Sequence, residues 1–152
     1  MYKQFLKPLA FKLAPENAHH LTLKGLKLVL AIPFLAQLFR WYHRIEDKRL
    51  ERNVFGLRFK NPVGLAAGFD KDGQHFRSMS SLGFGFIEVG TVTPRGQAGN
   101  PQPRLFRLAQ DDALINRLGF NNEGVSALVE RLKKGKPEGL ILGGNIGKNK
   151  DT

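Results

Sequence analysis

Cysteine is absent from this chain, so disulfide cross-links and thiolate metal sites are both excluded, as suits a reducing cytoplasm. Negative charge is scarce: 13 Asp and Glu stand against 24 Lys and Arg, for a net charge of +11. The excess is denser at the front, with ten basic against four acidic residues in 1–52 and fourteen against nine in 53–152, net +6 and +5. A basic surface attracts nucleic acid, anionic lipid or anionic ligands, and charge alone does not choose among them. RNA-binding aromatic motifs and zinc-finger spacings are missing, so no nucleic acid is expected as a partner.

Long hydrophobic runs are also missing. The longest uncharged apolar stretch, 28–39, is broken by Pro33 and falls short of the roughly 20 residues a bilayer span needs. It starts too far from the N-terminus, and lacks a small-residue cleavage site, to be an ordinary secretory signal. The chain is expected not to cross a membrane, which leaves open lying on one. There is no HExxH and no close histidine pair, because His19 and His20 face different sides of a helix; no metal site is expected. Two phosphate motifs fail as well. In 143–149 Leu142 stands where a P-loop needs its first glycine and Asn149 replaces its Ser or Thr, and 83–88 lacks the third glycine of a dinucleotide fingerprint.

What is present is a chain of 152 residues, 41% hydrophobic, enough for a real core. Phe5, Leu6, Leu9, Ala10 and Leu13 share one face at helical spacing, flanked by Lys3 and Lys12. That is the layout of an interfacial helix whose lysines reach lipid headgroups, although Pro8 requires it to start or kink there. Pro15 opens a second helix, apolar nearly all round to about Ala31, which calls for burial on two sides. After Pro33 the apolar surface continues, and Trp41 and Tyr42 beside Arg40 and Arg44 suit a membrane interface. The same helices would also serve simply to pack on the rest of the protein.

The charged run 46–52 marks a domain boundary, dividing a helical extension (1–45) from the remainder of the chain (46–152). A short antiparallel pair is expected over 54–60, strands over 63–67, 86–89 and 140–145, and helices over 73–82 and 123–134. A Gly/Pro-rich excursion covers 93–122. Strand, helix, strand, helix, strand is the grammar of a parallel sheet. A closed βα barrel needs about 250 residues and eight strands, so three strands are expected to be the front part of one.

The strand ends carry the informative residues. NPVGLAAGFDK over 61–71 reads as a buried strand, a turn of small residues and a charged pair; IEVGTVTPR (87–95), PRLFRL (103–108), LINRLGFNN (114–122) and LILGGNIGK (140–148) share its character. In a βα barrel, the C-terminal ends of the strands build the active site. Together, in this order and over the whole chain, these blocks closely resemble the class 2, quinone-dependent dihydroorotate dehydrogenases. The resemblance implies an α/β fold, the N-terminal part of a TIM barrel preceded by a small membrane-docking helical domain. It implies oxidation of dihydroorotate to orotate through FMN, with electrons passed to membrane quinone, in de novo pyrimidine synthesis. It also implies a peripheral protein on an anionic membrane surface, at the cytoplasmic face of the cell membrane.

Carried over residue by residue, the resemblance assigns FMN contacts to Ala67, Gly68, Phe69, Asp70, Lys71, Thr91 and Asn145. It assigns dihydroorotate contacts to Lys71 and to the loop Asn116, Arg117, Leu118, Gly119 and Phe120. A lysine ammonium beside the flavin ring would stabilise negative charge developing there, and an Asn amide offers the donor and acceptor that a cyclic ureide needs. Asn122, before Glu123, reads instead as a helix cap. His19 shares a helix face with Leu23, Leu26 and Leu30, where a histidine is more often packed than functional; the resemblance places it at the mouth of a quinone tunnel with Arg107 deeper in. The family's catalytic serine matches nothing up to Thr152, so the 152-residue chain is expected to catalyse nothing by itself. Alternatives are a soluble FMN-dependent barrel oxidoreductase with another acceptor, or a basic, non-enzymatic RNA- or lipid-binding module.

Overall fold

Prolines decide where the helices of this chain begin. In the computed structural model, which describes residues 2–151, a wide π-helical turn (Tyr2–Leu6) leads into α1 (Lys7–Phe11), with Pro8 in its first turn. Pro15 opens α2 (Pro15–Leu30) and Pro33 opens α3 (Pro33–His43). Each proline sits where a helix leaves its N–H unused, so it starts the helix at no cost in hydrogen bonds. The α2–α3 junction bends by 106°, and among the described residues no single helix is long and apolar enough to cross a membrane. Phe5, Leu9, Leu21, Leu28, Phe34, Trp41 and Tyr42 are all exposed.

Beyond the helices, the charged stretch folds into a short 3-10 turn, Lys48–Leu50, with Asp47 accepting a hydrogen bond from the Arg49 N–H. The hairpin expected over 54–60 is β1 (Arg52–Val54) and β2 (Leu57–Phe59). Phe55 and Gly56 at its tip both have positive φ, the backbone that a two-residue hairpin turn requires.

The parallel sheet has the order β3-β4-β7, with β3 at Gly64–Leu65, β4 at Phe86–Val92 and β7 at Ile141–Ile146. Leu65 lies opposite Ile87, and Ile87 opposite Leu142. The central strand, β4, alternates into a core of Phe76, Met79, Ile87, Val89, Val92, Leu128 and Leu140. Leu23 of α2 completes this cluster, so the helical extension and the sheet share one core.

Several boundaries differ from expectation. β3 is two residues long rather than five, and the helix expected over 73–82 is only α4 (Phe76–Met79) plus a 3-10 turn, Ser80–Leu82. The cause of both lies between them: the buried Asp70 carboxylate accepts the backbone N–H groups of Gln74 and His75, so 66–75 folds as a turn. β4 runs three residues past Val89, because Val92 still pairs with Ile146 after a bulge. The excursion over 93–122 holds a hairpin that the pattern does not announce, β5 (Leu105–Leu108) and β6 (Ala113–Asn116). All four residues of β6 are exposed, so its sequence carries no inward-outward alternation. α5 (Val125–Lys133) then leads to β7. The result is a mixed α/β fold whose three parallel strands do not close into a barrel.

Phe76 is fully buried against this core. Phe76→Ala is expected to lower the unfolding free energy by about 3–5 kcal/mol in a denaturant titration. A loss below about 1 kcal/mol would mean that α4 does not anchor the sheet.

Candidate functional site at the strand ends

A turn that must carry a charge beside the sheet needs its own backbone satisfied first. Asp70, 3% exposed, does this by accepting Gln74 N and His75 N, both at 2.8 Å. Main-chain bonds tie the same turn to β4: Gly68 N donates to Gly90 O at 2.7 Å and Gly90 N to Asp70 O at 3.3 Å. The Asp70 side chain is thus committed to the backbone, and what the turn presents outward is Gly68, Phe69 and Lys71.

Lys71 is half-buried and donates to Asn121 Oδ1 at 2.5 Å. Burial, followed by the positive charge of Arg104, holds its ammonium below the ordinary lysine range. The partnership of Asn121 with Lys71 over fifty residues of chain has no signature in either segment. Asn116 stands exposed at the end of β6, its Oδ1 accepting Leu118 N at 2.9 Å. The structure therefore joins Lys71 to the loop over 116–122 through Asn121.

Thr91 and Asn145, expected on separate strands, meet. Thr91 Oγ1 donates to Asn145 Oδ1 at 2.6 Å, and Asn145 Nδ2 donates to Glu88 Oε1 at 3.1 Å. Gly90, at φ +107°, lets the two strands come this close; a Cβ there would collide with the Asn145 carbonyl oxygen. Glu88 escapes a sequence reading because it looks like one polar residue in a buried strand.

The rest of the loop is held from within. Phe120 adopts φ +53°, rare for a bulky side chain, while its carbonyl accepts Asn122 Nδ2 at 2.7 Å. Asn122 is buried and its Oδ1 also accepts Thr93 N and Gly124 N, which ties the loop to the end of β4. It is not the helix cap expected of it, because α5 starts at Val125, behind Gly124, with no side-chain capping bond. Gly119, too, has positive φ, and Arg117 donates to Pro103 O at 3.2 Å. Leu118 faces a cavity.

That cavity lies between α2 and the turn, lined by His19, Leu23, Phe69, Lys71, His75 and Leu118 among others. The His19 ring meets Phe69 edge-on, 5.2 Å between centroids. Arg107 is elsewhere. Its guanidinium donates to Leu13 O at 2.7 Å and covers the Phe11 ring at 4.5 Å, bracing the end of α1 beside a second cavity that includes Leu114. The structure does not bring His19 and Arg107 into one cavity.

The residues at the strand ends fit the FMN that the resemblance implies. At Gly68, φ +100°, a Cβ would point into open space, so a flat ring has room against the backbone. Ala67 adds another small side chain, Thr91 and Asn145 supply polar groups, and Lys71 supplies a cation.

His19 and His75 are both held below the ordinary imidazole range, in each case chiefly by burial. The folded state thus binds these protons less tightly than the unfolded chain. Their cost is absent well above the ordinary value of about 6.5 and grows as the pH falls through it toward the lower folded values. Unfolding free energy is expected to drop between about pH 7 and pH 5, with a shallower drop in His19→Gln. Identical slopes, measured by denaturant titration, would mean that His19 titrates as in water.

Residues 49–152 match the family model described as dihydroorotate dehydrogenase. A Christiangramia forsetii protein named dihydroorotate dehydrogenase (quinone) is 57% identical over 152 residues, covering 100% of this chain and 44% of its own length. One of the same name from Polynucleobacter asymbioticus is 53% identical, covering 97% and 42%. The crystal structure of DHODH from Eimeria tenella in complex with ferulenol superposes with a TM-score of 0.72 at 43% identity, over 91% of this chain and 37% of that one. The ligand-free form gives 0.66 at 45% identity, over 79% and 38%. The chain spans about two fifths of the length of these relatives, and it belongs to the dihydroorotate dehydrogenase family.

Proposed function

We propose that the protein carrying this chain oxidises dihydroorotate to orotate with FMN and passes the electrons to membrane quinone, as a step of pyrimidine synthesis. The observation that carries this reading is the cavity where His19 of the exposed apolar helices meets Phe69 on the turn that bears Lys71. A quinone is apolar and resides in lipid, whereas dihydroorotate is an anion in water. One turn with a helical face on one side and a lysine on the other suits both.

When bound, FMN supplies the two-electron chemistry that links the two partners. The residues of this chain bind and orient. The Asp70 carboxylate and the Gly68–Gly90 bond hold the turn rigid, so that Lys71 does not reorganise when charge develops beside it. Lys71, steadied by Asn121, offers a partly desolvated ammonium to a carboxylate and to the edge of the ring. Thr91 and Asn145, locked by Glu88, present a fixed set of polar atoms at the next two strand ends. His19 and Phe69 exclude water from the helical side. We read α1–α3, with the basic surplus of 1–52, as a surface lying on anionic lipid at the cytoplasmic face, with residues 1–45 as the docking unit.

The deciding measurement is the visible spectrum of the native protein, before and after adding dihydroorotate. A flavin band that bleaches is the expected result; a colourless protein would sink the reading. Lys71→Ala should lower flavin retention and slow bleaching by about a hundredfold. Unchanged kinetics would reduce Lys71 to a solvated turn residue.

A further inference from the structure

α2 sits on the sheet with little apolar hold. Of its sixteen residues only Ala18 and Leu23 are buried. Its first turn, however, carries a partly buried ion pair. Glu16 accepts Arg104 Nη2 at 2.7 Å and Arg104 Nε at 3.1 Å, with the two side chains 14% and 11% exposed. Gln102 Nε2 adds a bond to the same carboxylate at 3.2 Å. The far side of the guanidinium is used separately: Arg104 Nη1 donates to Ala98 O at 2.6 Å and Asn100 O at 3.1 Å. The Arg104 carbonyl in turn accepts Arg117 N at 2.9 Å, at the base of the loop that carries Asn116. One helical turn after Glu16 comes His19, against Phe69.

We propose that Glu16 is a positioning residue for the quinone half of the reaction, its pair with Arg104 setting α2 so that His19 rests on Phe69. The Ala98 and Asn100 carbonyls hold Arg104 on the loop side without Glu16. Removing the carboxylate therefore frees the helix and leaves the loop in place. The pair is directional and bidentate, which fixes a helix where two buried side chains alone would let it slide. Glu16 also stands in the first turn of α2, where the helix dipole favours an acid. This inference rests on the function proposed above.

The test uses the native protein, isolated with its flavin, and two separate rates. One is bleaching of the flavin by dihydroorotate with no quinone present; the other is steady-state reduction of a decyl-substituted benzoquinone. Glu16→Gln is expected to raise the quinone KM about tenfold, because it leaves Arg104 without its counter-charge. Flavin content should stay as it was, and the quinone KM should change more than the bleaching rate, which shifts only slightly because Glu16 and Arg104 both act on the charge of Lys71. Glu16→Asp, which keeps the charge on a shorter arm, should restore most of the quinone affinity, and it decides the matter if Glu16→Gln fails to fold. An unchanged quinone KM, or an equal loss in both rates, would overturn the positioning role. Absence of bleaching in the unsubstituted protein would instead overturn the function on which it stands.

Discussion

A buried carboxylate holds the site together. Asp70 is almost wholly enclosed, and it is satisfied by two backbone N–H groups a few residues ahead. An enclosed carboxylate without such partners would be costly, so the turn has one good conformation and little freedom to leave it. The consequences spread in both directions. β3 stops early, α4 starts late, and between them Phe69 faces the helices while Lys71 faces the loop. The bond from Gly90 N to Asp70 O then registers the turn on the central strand, next to Thr91.

The helical extension and the sheet meet over a small apolar area and a set of polar contacts. Leu23 joins the core, Arg107 braces the end of α1, and Arg104 grips the start of α2. Most of the large side chains of α1–α3 are left facing outward. Both cavities lie at this junction, one touching the Lys71 turn and the other touching Phe11. A ligand entering the first cavity from the helical side would meet Leu23 and Phe69 beside the polar groups of His19, Lys71 and His75.

The strand-end motifs were legible because each is local. Small residues after an apolar run, then Asp and Lys, can be read within eleven positions, and so can a Thr or Asn closing a buried strand. The proline at 15 announced its helix for the same reason. The β5–β6 hairpin was not legible, since β6 has no buried face to impose alternation. Asp70 read as a ligand residue, and only the fold revealed its carboxylate turned onto Gln74 and His75.

By itself, the sequence determined the alternation of parallel strands with helices, the basic front segment, the start of α2 at Pro15 and the family of the chain. These depend on neighbours along the chain: periodicity, proline geometry and turn composition act within a few residues. Tertiary structure alone decided that Lys71 meets Asn121, that Thr91 meets Asn145, that Arg104 takes Glu16 and that His19 rests on Phe69. Those pairs are separated by about 50 to 90 residues. A polar side chain carries no mark of its distant partner. The partner is chosen only when packing of the central strand brings two polar atoms out of water together, where leaving either unpaired would cost more than the pair itself contributes.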